Sequence, residues 1–207
     1  MPSDSVRVSI AWSPAEPQFS AVIKASKAVT ALYDNDNMID ATRFPPHASV
    51  HICSIPRSGI AELARLILES VGSTPKILPV LAPDRVIAGS GGYVSVGLEI
   101  TDGVMVVHES VLSAVAHVRG ADYDELPYWI RQASAADQEN YSKYGNIYVR
   151  EKFDLHYSVA KVDQHDQQAA KAIVEGKLSG LEPVAAAALQ ICDIGARSEK
   201  WEVLGEV

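Results

Sequence analysis

Two short segments of the chain share the same spacing of histidine and serine. Residues 47–50 read His-Ala-Ser-Val and residues 156–159 read His-Tyr-Ser-Val. Both segments lie in runs rich in β-branched residues with near-alternating polarity, which predicts two β-strands. Because residues two apart on a strand point to the same face, each segment presents an imidazole beside a hydroxyl, roughly 7 Å apart. If the two strands meet, two histidines and two serines surround one pocket.

Two imidazoles and two hydroxyls around one pocket suit the cleavage of a phosphodiester. A neutral imidazole can take a proton from attacking water, and a protonated one can give a proton to the departing alkoxide. Histidine suits both tasks because its unperturbed pKa lies near physiological pH. Serine hydroxyls can donate hydrogen bonds to the non-bridging phosphate oxygens, where negative charge builds up. This scheme needs no metal ion or other cofactor.

The paired motif resembles the signature of the two-histidine (2H) phosphoesterases. That superfamily includes the 2′,5′ RNA ligase-like proteins and the 2′,3′-cyclic nucleotide phosphodiesterases. The flanks agree with the resemblance: Pro-Pro-His at residues 45–47 and His-Tyr-Ser-Val-Ala-Lys at residues 156–161. The opening Ser-Ile-Ala-Trp-Ser-Pro at residues 9–14 is most similar to the cyclic phosphodiesterase branch. Members of the family often have Thr where this chain has Ser. The serine keeps the hydroxyl of threonine but lacks the methyl group that restricts the rotamer.

The resemblance implies roles for four residues. His47 and His156 would be the catalytic pair, and Ser49 and Ser158 would bind the phosphate. Which histidine is the base and which is the acid stays open. The implied reaction is hydrolysis of a nucleoside 2′,3′-cyclic phosphate to a monophosphate. The alternatives are action on 2′,5′-linked oligonucleotides, RNA end processing or ligation, a cyclic phosphate on a sugar, and a non-catalytic nucleotide binder on the same scaffold. An unrelated α+β protein with two coincidental His-x-Ser strands is a further alternative.

Aromatic residues outside the motif are candidates for stacking against a base. Tyr93 lies on the polar face of a predicted strand, and Trp129 lies in a long irregular segment rich in Tyr and Trp. We predict both as substrate-binding residues, with packing as the alternative. His51 shares strand parity with His47, so it either lines the same groove or packs in place. Cys53 has that parity too and is predicted to be a small buried residue.

The remaining histidines and one lysine are predicted to lie outside the site. His108 and His117 fall on a predicted helix and are expected at its surface or at its boundary with the core, and His165 is expected in solvent at the start of a later helix. Lys161 has the opposite parity from His156, so on an ideal strand it points away. A zinc site is not expected, since no set of carboxylates or thiolates stands near the motif histidines at ligand spacing.

Composition narrows the class of protein and its partners. The chain has 207 residues, 47% of them hydrophobic, with a net charge of −8. This predicts a folded globular protein with one sizeable core. No basic block is present to neutralise a long polyanion, so we expect a small phosphorylated substrate and no long nucleic acid or membrane partner. The opening residues do not resemble a secretory signal, and the two cysteines do not make a disulfide framework, so we expect a cytoplasmic protein. We also expect it to be a monomer.

Hydrophobic periodicity predicts the elements that position these residues. The predicted order is β-α-β-α-β-β-β-α-loop-β-α-β-β, with each His-x-Ser strand followed directly by a helix. Two strands are expected at residues 76–81 and 84–88, and a closing hairpin at residues 184–207 with its turn at 195–200. Asp102 and Asp163 are the predicted helix caps. The fold class is therefore α+β: one domain, residues 1–207, of two pseudo-symmetric lobes, with antiparallel sheets facing a central groove and helices outside.

Overall fold

The structure is a computed structural model that describes residues 4–35, 38–72, 80–81, 83–119, 126–195 and 201–207. The strands in chain order are β1 (Ser5–Pro14), β2 (Ala48–Pro56), β3 (Val80–Leu81), β4 (Pro83–Ala88), β5 (Tyr93–Leu98), β6 (His156–Lys161), β7 (Val184–Asp193) and β8 (Glu202–Glu206). The helices are α1 (Gln18–Thr30), α2 (Ile60–Gly72), α3 (Asp102–Arg119), α4 (Tyr128–Arg131), α5 (Ala135–Tyr144) and α6 (Gln167–Leu178). This is the predicted order, with α4 and α5 inside the predicted irregular segment. Residues 76–79 of the predicted third strand and 196–200 of the predicted turn lie outside the described residues.

The strands form one antiparallel sheet in the order β3-β7-β1-β2-β6-β5-β4, with β8 on β7. The pairing of β1 with β2 and of β5 with β6 is extensive, whereas β2 and β6 share one pair, Ala48 with Tyr157. Two half-sheets thus meet at the two motifs and are joined by a narrow seam. This confirms the α+β class and its two antiparallel halves, which are continuous with each other across that seam.

The helices cover the sheet in two pairs, one for each half. Helices α2 and α3 pack together, with α3 against β2 and α2 against β8, while α1 and α6 pack together against β4, β5 and β6. A single apolar cluster runs through both halves and includes fully buried residues from each, such as Ile10, Ile55 and Val159. A shared core of this kind is what we expect of one two-lobed domain. Within the described part of the chain, none of the helices combines the length and apolar character needed to cross a membrane.

Two predicted helix caps are wrong. Asp102 is the first residue of α3, and the Thr101 hydroxyl accepts from the backbone N–H of Val104 at 3.3 Å, so Thr101 is the cap. Helix α6 begins after Asp166, and its N-terminus has no side-chain cap. Asp163 instead accepts through its backbone carbonyl from the N–H of Asp166 at 2.9 Å, in the turn before the helix. Local hydrogen bonding can place a boundary one turn from where polarity alone suggests it.

Candidate active site

The seam between the half-sheets brings the two motifs together. Ala48 and Tyr157, the central residues of the motifs, are register partners and are fully buried beneath the sheet. Their neighbours in each strand therefore point to the opposite face. Continuing the antiparallel register sets His47 across from Ser158 and Ser49 across from His156, at cross-strand distances of roughly 5 Å between Cβ atoms. The four predicted residues thus share one face, in alternating order around a single point.

Each motif histidine is held by the same local hydrogen bond. His47 Nδ1 lies 2.9 Å from the carbonyl oxygen of Pro45, and His156 Nδ1 lies 3.2 Å from the carbonyl oxygen of Asp154. Because a carbonyl oxygen only accepts, Nδ1 carries the proton in both rings. In the neutral form Nε2 then carries the lone pair, so both imidazoles can use Nε2 for proton transfer.

The surroundings of His47 favour its neutral form. Its ring lies 4.1 Å from that of Trp201 and 5.2 Å from that of Phe44, measured between centroids. The backbone N–H of Trp201 donates to the carbonyl of Arg43 at 3.0 Å, which anchors the final strand over this histidine. Burial lowers the pKa of His47 to about 4; the Pro45 carbonyl opposes the shift, and the nearby His156 adds to it. At neutral pH His47 is therefore an uncharged acceptor of protons.

The surroundings of His156 are different. Its side chain is 37% exposed, and the Asp154 carboxylate lies 3.6 Å from Nδ1, in addition to the carbonyl of the same residue. In the first motif the equivalent position is Pro45, which offers a carbonyl but no carboxylate. The two motif histidines therefore differ in their surroundings: aromatic rings cover His47, whereas His156 is partly exposed and has a carboxylate beside it.

Each motif serine has a second serine next to it on the neighbouring strand. Ser9, on β1, is 1% exposed, and its Oγ lies 3.0 Å from Ser49 Oγ. Ser95, on β5, is the register partner of Ser158 and is also buried. If Ser9 donates to Ser49, the Ser49 hydroxyl keeps its own proton for a ligand oxygen. Ser9 on β1 thus contacts the serine of the first motif directly.

A β-bulge follows each His-x-Ser unit. Ile10 pairs with His51 and Ala11 with Ser49, which leaves Val50 unpaired. On the other half-sheet, Val94 pairs with Ala160 and Ser95 with Ser158, which leaves Val159 unpaired. The bulged residue is the valine of the motif in both cases. An extra residue reverses the side-chain alternation of everything beyond it.

The two bulges decide the orientation of His51 and correct that of Lys161. His51 is 3% exposed and packs in place: its Nε2 donates to the carbonyl of Tyr144 at 2.8 Å, and burial lowers its pKa to about 4. Lys161 does not point away, because the bulge at Val159 returns it to the face that carries His156. Its Nζ lies 5.7 Å from the centroid of the Tyr93 ring.

The prediction that His108 lies at the helix surface is wrong. His108 is fully buried where α3 packs on β2, and its ring stacks on Phe153 at 3.9 Å. Its Nε2 accepts from the backbone N–H of Arg150, so Nδ1 must donate to the carbonyl of Val50, 3.1 Å away. This histidine ties the first bulge to the segment before β6. His117 and His165 are exposed, as predicted.

A cleft of about 560 Å³ lies over the seam. Ser49, His156 and Ser158 line it, with Tyr93 on one side and Tyr148 and Lys152 on the other. His47 is not among the lining residues, and its ring packs against that of Trp201. Trp129 is not part of this lining; it is 57% exposed and its ring makes an edge contact with that of Tyr141, so the structure gives no support to its predicted substrate role. A larger surface depression between α1 and α6 contains none of the motif residues.

Within the described residues, no cluster of three or more His, Cys, Asp or Glu side chains at metal-binding distances lines the cleft. The described residues that cluster at metal-binding distances are Asp163, His165 and Asp166. They stand in the turn before α6, outside the cleft lining. Both cysteines are buried, and burial raises the pKa of each thiol to about 12, so neither is a thiolate at neutral pH. The imidazoles and hydroxyls at the seam are suited to proton transfer and hydrogen bonding.

Several residues of the site were not anticipated from the sequence. Asp154 and Pro45 could have been found from the sequence, since each stands two residues before a motif histidine. Ser9 carried a weaker signal, as a polar residue on the alternating first strand. Trp201 and Tyr148 carried none, because only the tertiary fold brings them to the cleft.

The comparisons with known proteins add little to this geometry. No protein-family model matches the chain, and no curated protein sequence does. Solved structures do match, among them Usb1 from Kluyveromyces marxianus, with 13% sequence identity, a TM-score of 0.49, and coverage of 94% of this chain and 95% of that one. We base no argument on a likeness of this degree, and the proposals below rest on the site itself.

Proposed function

We propose that this protein is a two-histidine phosphodiesterase that hydrolyses a nucleoside 2′,3′-cyclic phosphate, or a similar small cyclic phosphate, to a monophosphate without a metal ion. The observation that carries the proposal is the register of Ala48 with Tyr157. It places an imidazole and a hydroxyl from each motif around one point on the open face of the sheet. A tetrahedral phosphate at that point would meet a proton acceptor, a proton donor and two hydroxyl donors.

The asymmetry between the histidines supports an assignment of roles. His47, neutral because burial lowers its pKa to about 4, takes a proton through Nε2 from the attacking water. The water oxygen bonds to phosphorus as the bond to one ribose oxygen breaks. His156, with Asp154 beside Nδ1, gives its Nε2 proton to that departing oxygen. Ser49 and Ser158 donate to the non-bridging oxygens and stabilise the charge that grows there.

The charge around the cleft favours a small substrate over a long one. Among the described residues that line the cleft, Lys152 is the cation and Asp154 the carboxylate, and the Lys152 ammonium lies 2.5 Å from the carboxylate of Asp137. A protein that tracks a long RNA backbone needs several unpaired cations along its groove. The described lining offers no such stripe. RNA end processing on a short strand therefore remains the second candidate, and a non-catalytic nucleotide binder the third.

The decisive experiment is hydrolysis of the four nucleoside 2′,3′-cyclic monophosphates in EDTA by the wild type, His47→Ala and His156→Ala. Removal of either acid–base group should lower kcat by about 10²- to 10⁴-fold. His165→Ala, in an exposed histidine outside the cleft lining, is the matched control and should retain activity. Activity that disappears in EDTA would contradict the metal-independent scheme, and activity indifferent to both motif mutations would remove the site assignment. Nucleotide binding without turnover would favour the non-catalytic binder.

A further inference from the structure

Lys161 lies beside Tyr93, a residue of the cleft lining, on a face that strand alternation does not predict. The bulge at Val159 leaves Ser158 and Lys161 on the same face, roughly 7 Å apart along the strand. Lys161 is the register partner of Tyr93, and its ammonium lies 5.7 Å from the centre of that ring. Tyr93 is 41% exposed and lines the cleft. A cation and an aromatic face thus stand together at one end of the site.

The backbone beneath this pair is firmly held. The N–H of Lys161 donates to the side-chain oxygen of Asn35 at 3.0 Å, and the N–H of Val162 donates to the carbonyl of Gly92 at 3.1 Å. The Gln167 amide donates to the carbonyls of Gly89 and Tyr93, at 2.6 and 2.7 Å. The turn before β5 is therefore fixed to the end of β6 and to the start of α6. Pre-organised groups of this kind lose little entropy when they bind a ligand.

The first motif has no cation at the position equivalent to Lys161. The bulge in β2 brings Ile52 to the cleft lining, at the same offset from His47 as Lys161 has from His156. At this offset the pseudo-symmetry of the two motifs is therefore broken by charge, with an aliphatic side chain after the first motif and an ammonium after the second. Lys152, the cation of the described lining, is ion-paired with Asp137.

We propose that Lys161 and Tyr93 form a second phosphate subsite, so that the preferred substrate is a nucleoside cyclic phosphate whose sugar carries a further phosphate. The Tyr93 ring packs against the nucleoside, and the ammonium binds the second phosphate one nucleotide position from the scissile one. This inference rests on the proposed function, since the scissile phosphate is taken to lie between the two motifs. The second phosphate has two sources: a 5′-monophosphate, or the phosphodiester that links the last two nucleotides of a short strand.

Turnover tests both sources with three substrates. They are adenosine 2′,3′-cyclic phosphate, the same compound with a 5′-phosphate, and a dinucleotide that ends in the cyclic phosphate. For the wild type we expect kcat/KM to be about tenfold higher for the 5′-phosphorylated compound or for the dinucleotide than for adenosine 2′,3′-cyclic phosphate. Which of the two is preferred identifies the source of the second phosphate. In Lys161→Met that ratio should fall to about one. Lys24→Met, at an exposed lysine of α1, is the control for net charge and should keep the wild-type ratio. A ratio near one in the wild type, or one that survives in Lys161→Met, would overturn the proposal.

Binding of product analogues tests the subsite separately from catalysis. Adenosine 3′,5′-bisphosphate should bind the wild type about tenfold more tightly than adenosine 3′-monophosphate, and Lys161→Met should abolish the difference, as measured by calorimetry. If no substrate is turned over but this difference is found, the hydrolytic function fails while the subsite stands. If turnover occurs and the affinities are equal in the wild type, the subsite fails while the function stands.

Discussion

Acidification from pH 7 to pH 5 should destabilise this protein through its buried histidines. His51 is 3% exposed and His47 is half-buried, and burial lowers the pKa of each to about 4. The unfolded chain exposes both rings to water, where an imidazole titrates near its ordinary value of about 6.5. Below a pH of about 6.5 these histidines therefore bind protons in the unfolded state but not in the folded state. The free energy of unfolding must fall as the pH drops from 6.5 towards 4.

The size of the loss follows from the two pKa values. With a folded pKa of about 4 and an unfolded value of about 6.5, the change from pH 7 to pH 5 removes about 2 kcal/mol for a fully buried histidine. His51 should contribute that amount and His47, which is less buried, a smaller one. The total is about 3 kcal/mol, a large part of the stability of an ordinary domain. The pKa of His108 is lowered too, by burial, and its contribution has the same sign.

Urea unfolding at pH 7, 6 and 5 measures this directly. The wild type should lose about 3 kcal/mol over the range, and His51→Gln, whose amide can still donate to the Tyr144 carbonyl, should lose about 2 kcal/mol less than the wild type. His165→Gln changes a histidine that is 76% exposed and should reproduce the wild-type pH dependence. A wild-type unfolding free energy that is flat between pH 7 and pH 5 would show that these rings are not buried and neutral, and would remove the argument for His47 as the base.

Three substitutions test the support of the site. Ser9→Ala deletes the hydroxyl that bonds to the first motif serine and should lower kcat/KM about fivefold in steady-state assays, whereas an unchanged value would remove its positioning role. Trp201→Leu opens His47 to water, so the pKa of His47 should rise from about 4 towards 6.5, seen as a shift of the acidic limb of the rate profile. Gly92→Ala, at φ 83° and against the backbone of Val162, should lower the free energy of unfolding by about 2 kcal/mol or more, as measured by urea unfolding. Gly176→Ala, in open space on α6, should raise it slightly.

The order of elements was predictable because it depends on hydrophobic patterning, whereas the meeting of the two motifs was expected from the repeated His-x-Ser spacing and the family resemblance. The first strand alternates Val6, Val8 and Ile10 with polar residues, and α2 has the clearest helical spacing; both formed as expected. Burial of one face decides such elements, and local propensity agrees with it. His108 could have been found in the same way, since it stands four residues after Val104 and on the buried face of its helix.

The orientations beyond each motif were not predictable, because a bulge leaves no clear signature in a single sequence. Parity arguments assume an uninterrupted strand, and one extra residue reverses them. The prediction for Lys161 failed at such a bulge, and a bulge on the other half of the sheet decided between the two alternatives for His51, in favour of packing. Trp129 is a different case: an aromatic-rich segment is compatible with both packing and stacking, and only tertiary contacts decide between them.

In the proposed mechanism, the roles of the two histidines depend on residues that the motifs do not contain. The motifs themselves are nearly identical, so sequence offers no reason to prefer one histidine as the base. Phe44 and Trp201 cover His47, and a covered imidazole with a pKa of about 4 releases the proton it has taken as soon as the product leaves. His156, open to solvent beside Asp154, can regain from water the proton it has given. In this scheme both groups return to their starting states through water, without exchanging a proton with each other.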